Sequence, residues 1–412
     1  MLGLYISIPF CRSKCSYCNF ASGVFGQERL DRYVDRLVAD IAAARAQADS
    51  LHALLPRHVD TIYFGGGTPS LLSPEQLQRI FSALHAEFAI AADAEITLEC
   101  APGQLSEALL AALPLHGVNR VSFGVQSFVD EEARAVGRLH TRAQALADLD
   151  RLRSAGITNI NVDLLAGLPH QTAASWQASL DVAISSGVPH VSVYMLEVDE
   201  DSRLGREMLT QGSRYHAHAV PEDALIADLY EMACAQLAAA GILQYEISNF
   251  ARAGFASRHN EKYWLRQPYL GLGLDAHSML PGADGHPRRL SVSEDLTTYL
   301  EPSAQPQCTV VEPQAALEEA WFLGLRRNAG VRLDALEREF GPKALAAHSA
   351  MLAGCEEEGL LLHANGAVCL TAQGRLFSNE VFERFLAPTS NPIHTPVTED
   401  LHSVLDPFFS VR

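Results

Sequence analysis

Short apolar runs alternate with longer stretches of helical periodicity through the first 240 or so residues of the chain. The runs at 4–8, 61–64, 95–98, 120–124, 159–165 and 190–195 read as strands, since they are short and most are rich in β-branched or apolar residues. Helical patterns follow at 27–48, 74–88, 106–113, 130–136 with 141–155, 173–186 and 221–240. This alternation predicts an α/β fold with parallel strands and right-handed crossovers. Six strand–helix units are too few to close an eight-fold barrel.

The pattern then changes. Pro, Gly, Ser and Asp accumulate from 282 to 313, a linker-like composition. Beyond it, amphipathic helices are predicted at 315–325, 333–340 and 344–358, and a hairpin at 360–363 and 367–371 turning on Asn365-Gly366. Helices followed by a hairpin suggest a smaller, winged-helix-like α+β module. The expected division is therefore 1–241 for the core, 242–312 for a closing segment and linker, and 313–385 for the C-terminal module. The remaining 386–412, with Pro388, Pro392 and Pro396, is expected to be a mobile tail.

Charge narrows the partners. A net charge of −18 argues against a nucleic-acid-binding face. Winged helices often bind DNA, but Glu318, Glu319, Glu356, Glu357 and Glu358 suit this one to covering substrate or docking a partner. No apolar run approaches the roughly 18 residues of a membrane span. The chain has eight cysteines without a disulfide-like framework, as expected in a reducing, cytoplasmic setting. Cys100, Cys234, Cys308, Cys355 and Cys369 are scattered and read as buried, inert thiols.

The candidate chemistry begins where the first strand ends. Cys11, Cys15 and Cys18 follow Pro9 with spacing C-x3-C-x2-C. Three thiolates on one loop can each take one iron of a cubane, leaving the fourth iron open. Spacing alone also fits reduced structural cysteines, or a zinc loop completed by a distant histidine. Further residues lie at successive strand ends, where barrels of this type place their chemistry. Gly65-Gly66-Gly67-Thr68-Pro69 allows close backbone approach. Glu99 could accept from ribose hydroxyls or simply close a strand, and Gln126 and Arg138 follow the fourth strand. Asp163 sits in an apolar run, which is costly unless it is liganded or paired with an arginine.

Together the cysteine loop, Tyr17 within it and the glycine turn resemble the radical S-adenosylmethionine (SAM) superfamily. That resemblance implies an open, partial (βα)6 TIM-like barrel, a 4Fe–4S cluster on Cys11, Cys15 and Cys18, and SAM on the open iron. One electron from the reduced cluster then splits the sulfonium to a 5′-deoxyadenosyl radical. The motifs through Pro169 are similar to the oxygen-independent coproporphyrinogen III oxidase branch. There the positions of Tyr5, Tyr17, Gly66, Gly67, Thr68, Glu99, Gln126, Arg138 and Asp163 line SAM pockets, the last three matching a second SAM site.

Two departures separate the chain from the oxidase. Phe20 stands where the oxidase has a fourth cysteine, and only about ten residues precede Cys11, without the oxidase's substrate-holding extension. Both are typical of the heme-chaperone branch. The segment Arg258-His259-Asn260-Glu261-Lys262-Tyr263-Trp264 contains H-N-x-x-Y-W. On chemistry alone it fits a loop histidine beside a packed aromatic pair. The resemblance makes His259 the candidate heme ligand, with Tyr263 and Trp264 against the porphyrin. The segment 269–278 resembles the one that closes the family's active site. His277 reads as structural, and His216 and His218 as surface residues without metal-ligand company.

The function this implies is a heme chaperone delivering heme to heme-requiring proteins, respiratory enzymes among them, without coproporphyrinogen III dehydrogenase activity. A reduced donor of the flavodoxin type would supply electrons, and a membrane-associated acceptor remains open. The competing readings are coproporphyrinogen III dehydrogenase, a radical SAM methyltransferase, and a non-redox binding protein with a structural cluster.

Overall fold

The computed structural model describes residues 1–386. Of the tail expected at 386–412, Leu386 falls among the described residues and 387–412 lie outside them. Six parallel strands form the centre of one large sheet: β1 (Leu2–Ile8), β2 (His58–Gly66), β3 (Ala89–Cys100), β4 (Arg120–Gln126), β5 (Asn159–Ala166) and β6 (His190–Met195). Their apolar runs are nearly continuous because helices cover the outer face and side chains fill the inner one; Leu2, Leu4, Ile6 and Ile8 are all fully buried.

The covering helices are α1 (Gln27–Ser50), α2 (Pro74–Glu87), α3 (Glu107–Ala112), α4 (Asp130–Ala135), α5 (Arg142–Ser154), α6 (Ala173–Ser185), α7 (Arg203–Thr210) and α8 (Asp223–Ala239). Several start where the side chains dictate. Ser73 with Gln76, Thr141 with Gln144 and Thr172 with Ser175 each form a reciprocal capping box that satisfies otherwise unpaired backbone donors. All six expected strands are present, each at least as long as its apolar run.

The sheet does not end with these six strands. Among the described residues it has twelve, in the order β12-β11-β10-β9-β1-β2-β3-β4-β5-β6-β8-β7. The additional strands are β7 (Leu243–Gln244), β8 (Asn249–Ala251), β9 (Tyr269–Leu272), β10 (His277–Leu280), β11 (Arg288–Ser291) and β12 (Gln307–Val310). β9 lies parallel to β1, while β8 joins β6 antiparallel, so the sheet is mixed and open rather than a closed barrel. The linker reading of 282–313 is thereby corrected. Leu290 of β11 is buried, and its strand pairs on both sides. The turn-rich composition belongs to the connections between short antiparallel strands.

The remaining helices include α9 (Arg258–Trp264), α10 (Leu296–Tyr299), α11 (Pro313–Arg326), α12 (Leu333–Phe340) and α13 (Pro342–Glu357). The last three pack on a second sheet, ordered β13 (Val331–Arg332), β15 (Ala367–Leu370), β14 (Leu361–Ala364). Asn365 and Gly366 both take positive φ (52° and 77°), the conformation a two-residue hairpin turn demands. A second hydrophobic core, with Trp321, Phe322 and Val368 among its members, extends back to Tyr263, Trp264, Tyr269 and Met279. The α9 segment is thus the junction between the two sheets. The scattered thiols are not all buried: Cys100, Cys355 and Cys369 are, Cys234 is partly covered, and Cys308 on the edge strand β12 is exposed.

Candidate cluster and cofactor cavity

The parallel register brings the carboxyl ends of the strands side by side. Ile8 of β1 sits opposite Gly66 of β2, and Gly124 of β4 opposite Asp163 of β5. The ends surround a cavity of about 1230 Å³ lined by Cys11, Cys15 and Cys18 and by Gly66, Thr68, Glu99, Gln126, Arg138 and Asp163. Tyr17 and Gly67 also line it. Tyr5 lies just beyond, on a small adjoining cavity that shares Gly66, Asp275 and His277. Eleven of the twelve residues expected for cluster and SAM thus border one space, and the twelfth faces its neighbour.

The cysteine loop is held from several directions. Cys11 N donates to Gly23 O (2.9 Å), and Lys14 Nζ donates to Phe20 O (2.9 Å). Ser16 N donates to Val136 O (3.1 Å), and Leu204 N of α7 donates to Ser16 O (2.8 Å). Asn19 Nδ2 reaches Asp199 (3.0 Å). The sulfurs also have polar company: the Thr68 hydroxyl lies 3.7 Å from Cys11 Sγ and Arg138 Nη1 lies 3.5 Å from Cys15 Sγ. Burial pushes the Cys11 thiol up and the Cys18 thiol to about 11, so a bound cation would have to displace their protons.

The glycine turn is a close-approach device. A Cβ on Gly67 would stand 2.8 Å from Ile8 O and from both N and O of Phe10, the residue before the first cysteine. Gly66 has φ 103°, a region closed to most side chains. Gln126 is held at φ 69° at a register shift between β4 and β5, one of the few strained non-glycine positions.

The polar wall carries two carboxyls. Glu99 accepts from the Tyr63 hydroxyl (2.9 Å), and burial raises it to about 8, the nearby Asp163 adding to the shift. Asp163 accepts from Asn161 Nδ2 (2.6 Å) and Ser122 Oγ (3.4 Å), and burial raises it as well. The arginine pair considered for Asp163 is not formed among the described residues; its partners are an amide and a hydroxyl, and it faces the cavity. Arg138 Nε, Gln104 Oε1 and His140 Nε2, all on cavity-lining residues, are buried without a hydrogen-bond partner. Such orphaned groups suit a polar occupant. The three thiols and this lining therefore fit an iron–sulfur cluster with a small polar molecule on its open side.

The H-N-x-x-Y-W segment is placed differently. His259 is fully buried. Its Nδ1 lies 2.8 Å from Thr61 Oγ1 and its Nε2 2.8 Å from the Tyr263 hydroxyl. Its ring stacks on Tyr63 with centroids 5.3 Å apart, and its backbone N donates to Glu95 (3.0 Å). Burial drives the imidazole down to about 3, holding it neutral. Lys262 is tied to Asp60 (2.7 Å), and the Arg326 guanidinium lies 4.4 Å over the Trp264 ring. As folded, both ring nitrogens of the candidate heme ligand are engaged. Tyr263 and Trp264 are buried too, in the core shared with the C-terminal module.

Several residues at the cavity carried no sequence signal. Glu197, Asp199, Glu200, Asp201, Glu294 and Glu383 give it an acidic lining on one side. Glu383 arrives from the helix Ser378–Glu383 at the far end of the chain, a placement that only the tertiary fold creates. His277, read as structural, borders the cavity beside Asp275.

The chain is similar to known proteins over most of its length. Residues 5–183 match the radical SAM superfamily, and residues 311–377 match the HemN C-terminal domain. The chain is 34% identical over 392 residues to heme chaperone HemW of Bacillus subtilis (strain 168), covering 94% of this chain and 99% of the relative. It is 32% identical over 398 residues to heme chaperone HemW of Escherichia coli (strain K12), covering 94% and 98%. Its fold is similar to that of coproporphyrinogen III oxidase HemN from E. coli, described as a radical SAM enzyme, with a TM-score of 0.78. That match spans 93% of this chain and 89% of the oxidase at 24% identity, a level that speaks for fold alone.

Proposed function

We propose, from the premise that the chain belongs to the HemW family of radical SAM proteins, that it is a cytoplasmic heme chaperone. In this reading Cys11, Cys15 and Cys18 hold a 4Fe–4S cluster. SAM lies against Tyr5, Tyr17, Gly66, Gly67, Thr68 and Glu99, with Gln126, Arg138 and Asp163 lining the same cavity. The cluster supplies one-electron chemistry and an open coordination position when bound. The protein's part is to order the thiolates through Thr68 and Arg138, to let the backbone close in at Gly66 and Gly67, and to offer Glu99 and Asp163 to the hydroxyls and amines of a cofactor. The convergence of these groups on one cavity is the observation that supports the reading most.

Heme is the cargo, passed to heme-requiring proteins that include respiratory enzymes, and a flavodoxin-type donor reduces the cluster. Ligation of heme iron by His259, with Tyr263 and Trp264 against the porphyrin, requires the Tyr263 hydroxyl to leave Nε2. A conformational step at the junction between the two sheets therefore precedes heme binding. Tyr263→Phe removes that competitor and should tighten heme binding several-fold. Unchanged affinity would move the ligand elsewhere.

Anaerobic reconstitution followed by optical titration with heme, with and without SAM, tests the whole proposal. Saturable heme binding to cluster-loaded protein and transfer to an apo-hemoprotein are expected. Efficient formation of protoporphyrinogen from coproporphyrinogen III would overturn it.

A further inference from the structure

His216 and His218, solitary along the sequence, acquire a third histidine in the fold. His170 lies in the turn between β5 and α6, and its backbone N donates to Ala219 O (2.9 Å), which stitches that turn to the segment after α7. His170 Nε2 then stands 3.2 Å from His216 Nδ1. The rings of His170 and His216 have centroids 5.0 Å apart, and that of His218 lies 6.4 and 6.3 Å from them. His170 and His218 are exposed and His216 is half-buried, so water and ions reach the group.

Two features go beyond chance crowding. His170 and His216 both adopt left-handed backbone (φ 67° and 59°), a conformation that disfavours non-glycine residues by roughly 1–2 kcal/mol each. The turn that presents His216 and His218 is itself built. Buried Glu207 accepts from the backbone N of Tyr215 (2.8 Å) and of Ala217 (3.2 Å). The nitrogen separation also has chemical meaning. Two imidazoles on one tetrahedral zinc, each with a Zn–N bond of about 2.0–2.1 Å, place their nitrogens roughly 3.3 Å apart. As folded, the three rings do not close on a single ion, and a rotation of the exposed His218 side chain has to accompany binding.

We propose that His170, His216 and His218 bind one divalent transition cation of the zinc class, three imidazoles with water in the fourth position. The inner face of the same two segments buries Leu168, Leu204 and Ala217 against Tyr17 of the cysteine loop. Leu204 N donates to that loop at Ser16 O. The cation is therefore a staple: it fastens the turn after β5 to the α7 segment across the outer side of the cluster loop. The site does not depend on heme binding, and a porphyrin does not suit it, because nitrogens 3.2 Å apart cannot take opposite faces of one heme.

The test uses tag-free protein with its cluster reconstituted anaerobically, so that the three cysteines are already occupied. Zinc chloride is titrated in competition with a chromophoric chelator. One equivalent is expected in the wild type, lost in His170→Asn and His216→Asn and at least tenfold weaker in His218→Ala, with iron and sulfide content unchanged. Asn tolerates the left-handed backbone, so these variants keep the turns. Zinc should also slow hydrogen exchange over 197–220 in the wild type and not in His216→Asn. Equal zinc binding by wild type and both Asn variants, or no zinc binding once the cluster is assembled, would overturn the site.

Discussion

Two motifs marked this chain for metal and porphyrin chemistry, and the fold treats them in opposite ways. The cysteine loop is fastened along its backbone, while its sulfurs are left facing a cavity of about 1230 Å³. The H-N-x-x-Y-W helix is sealed: His259, Tyr263 and Trp264 are buried, and the imidazole already spends both nitrogens on Thr61 and Tyr263. A motif at a strand end with orphaned polar neighbours is waiting for a ligand. A motif whose histidine is hydrogen-bonded internally and whose rings lie in a core is doing structural service until something opens it, even with Asn260 Oδ1 and Trp264 Nε1 left unpaired. Residue type alone did not separate these cases; which side chains border open space does.

The sharpest way to break the contrast is Cys15→Ala. At the open site it should abolish cluster assembly, with iron and sulfide near zero after reconstitution and the far-UV circular dichroism unchanged. A retained cluster would mean that the loop is not its cradle. At the sealed site, His259→Ala should instead lower stability by about 3 kcal/mol in denaturant unfolding, since it leaves a cavity and strands the Thr61 and Tyr263 hydroxyls. A drop below about 0.5 kcal/mol would show that the seal carries no energy.

A smaller effect is expected from pH. Glu99 keeps its proton in the fold up to about 8, whereas in the unfolded chain it ionises near its ordinary 4.5. Between those values the folded state binds more protons, so this group makes the cofactor-free protein less stable as pH rises toward about 8, after which its contribution levels off. Glu99→Gln should flatten that part of the stability profile, and an unchanged slope would assign the dependence to another group. The least effect is predicted for Cys308→Ser on the exposed edge strand, which should alter neither iron content nor stability beyond about 0.5 kcal/mol.

Much of the scaffold could be read from the chain because its signals are local. The apolar runs of the six central strands have no use except in a sheet covered on both faces, and Asn365-Gly366 announces a hairpin through its backbone alone. The short strands Arg288–Ser291 and Gln307–Val310 were not legible, since four residues of mixed polarity become a strand only when a neighbouring edge is offered. At the site, the cysteines and glycines announced themselves by spacing. The environment of Asp163, the engagement of His259 and the arrival of Glu383 did not, because each depends on partners tens to hundreds of residues away.

The position of β1 within its sheet has a further consequence. Four strands flank it on one side and seven on the other. Thermal fraying works inward from the margins, so the stretch that leads into Cys11 should be among the last parts of the molecule to exchange its amide protons. The chain thus roots its cysteine loop in one of its slowly breathing strands, which would let the periphery loosen for partners while that corner stays put.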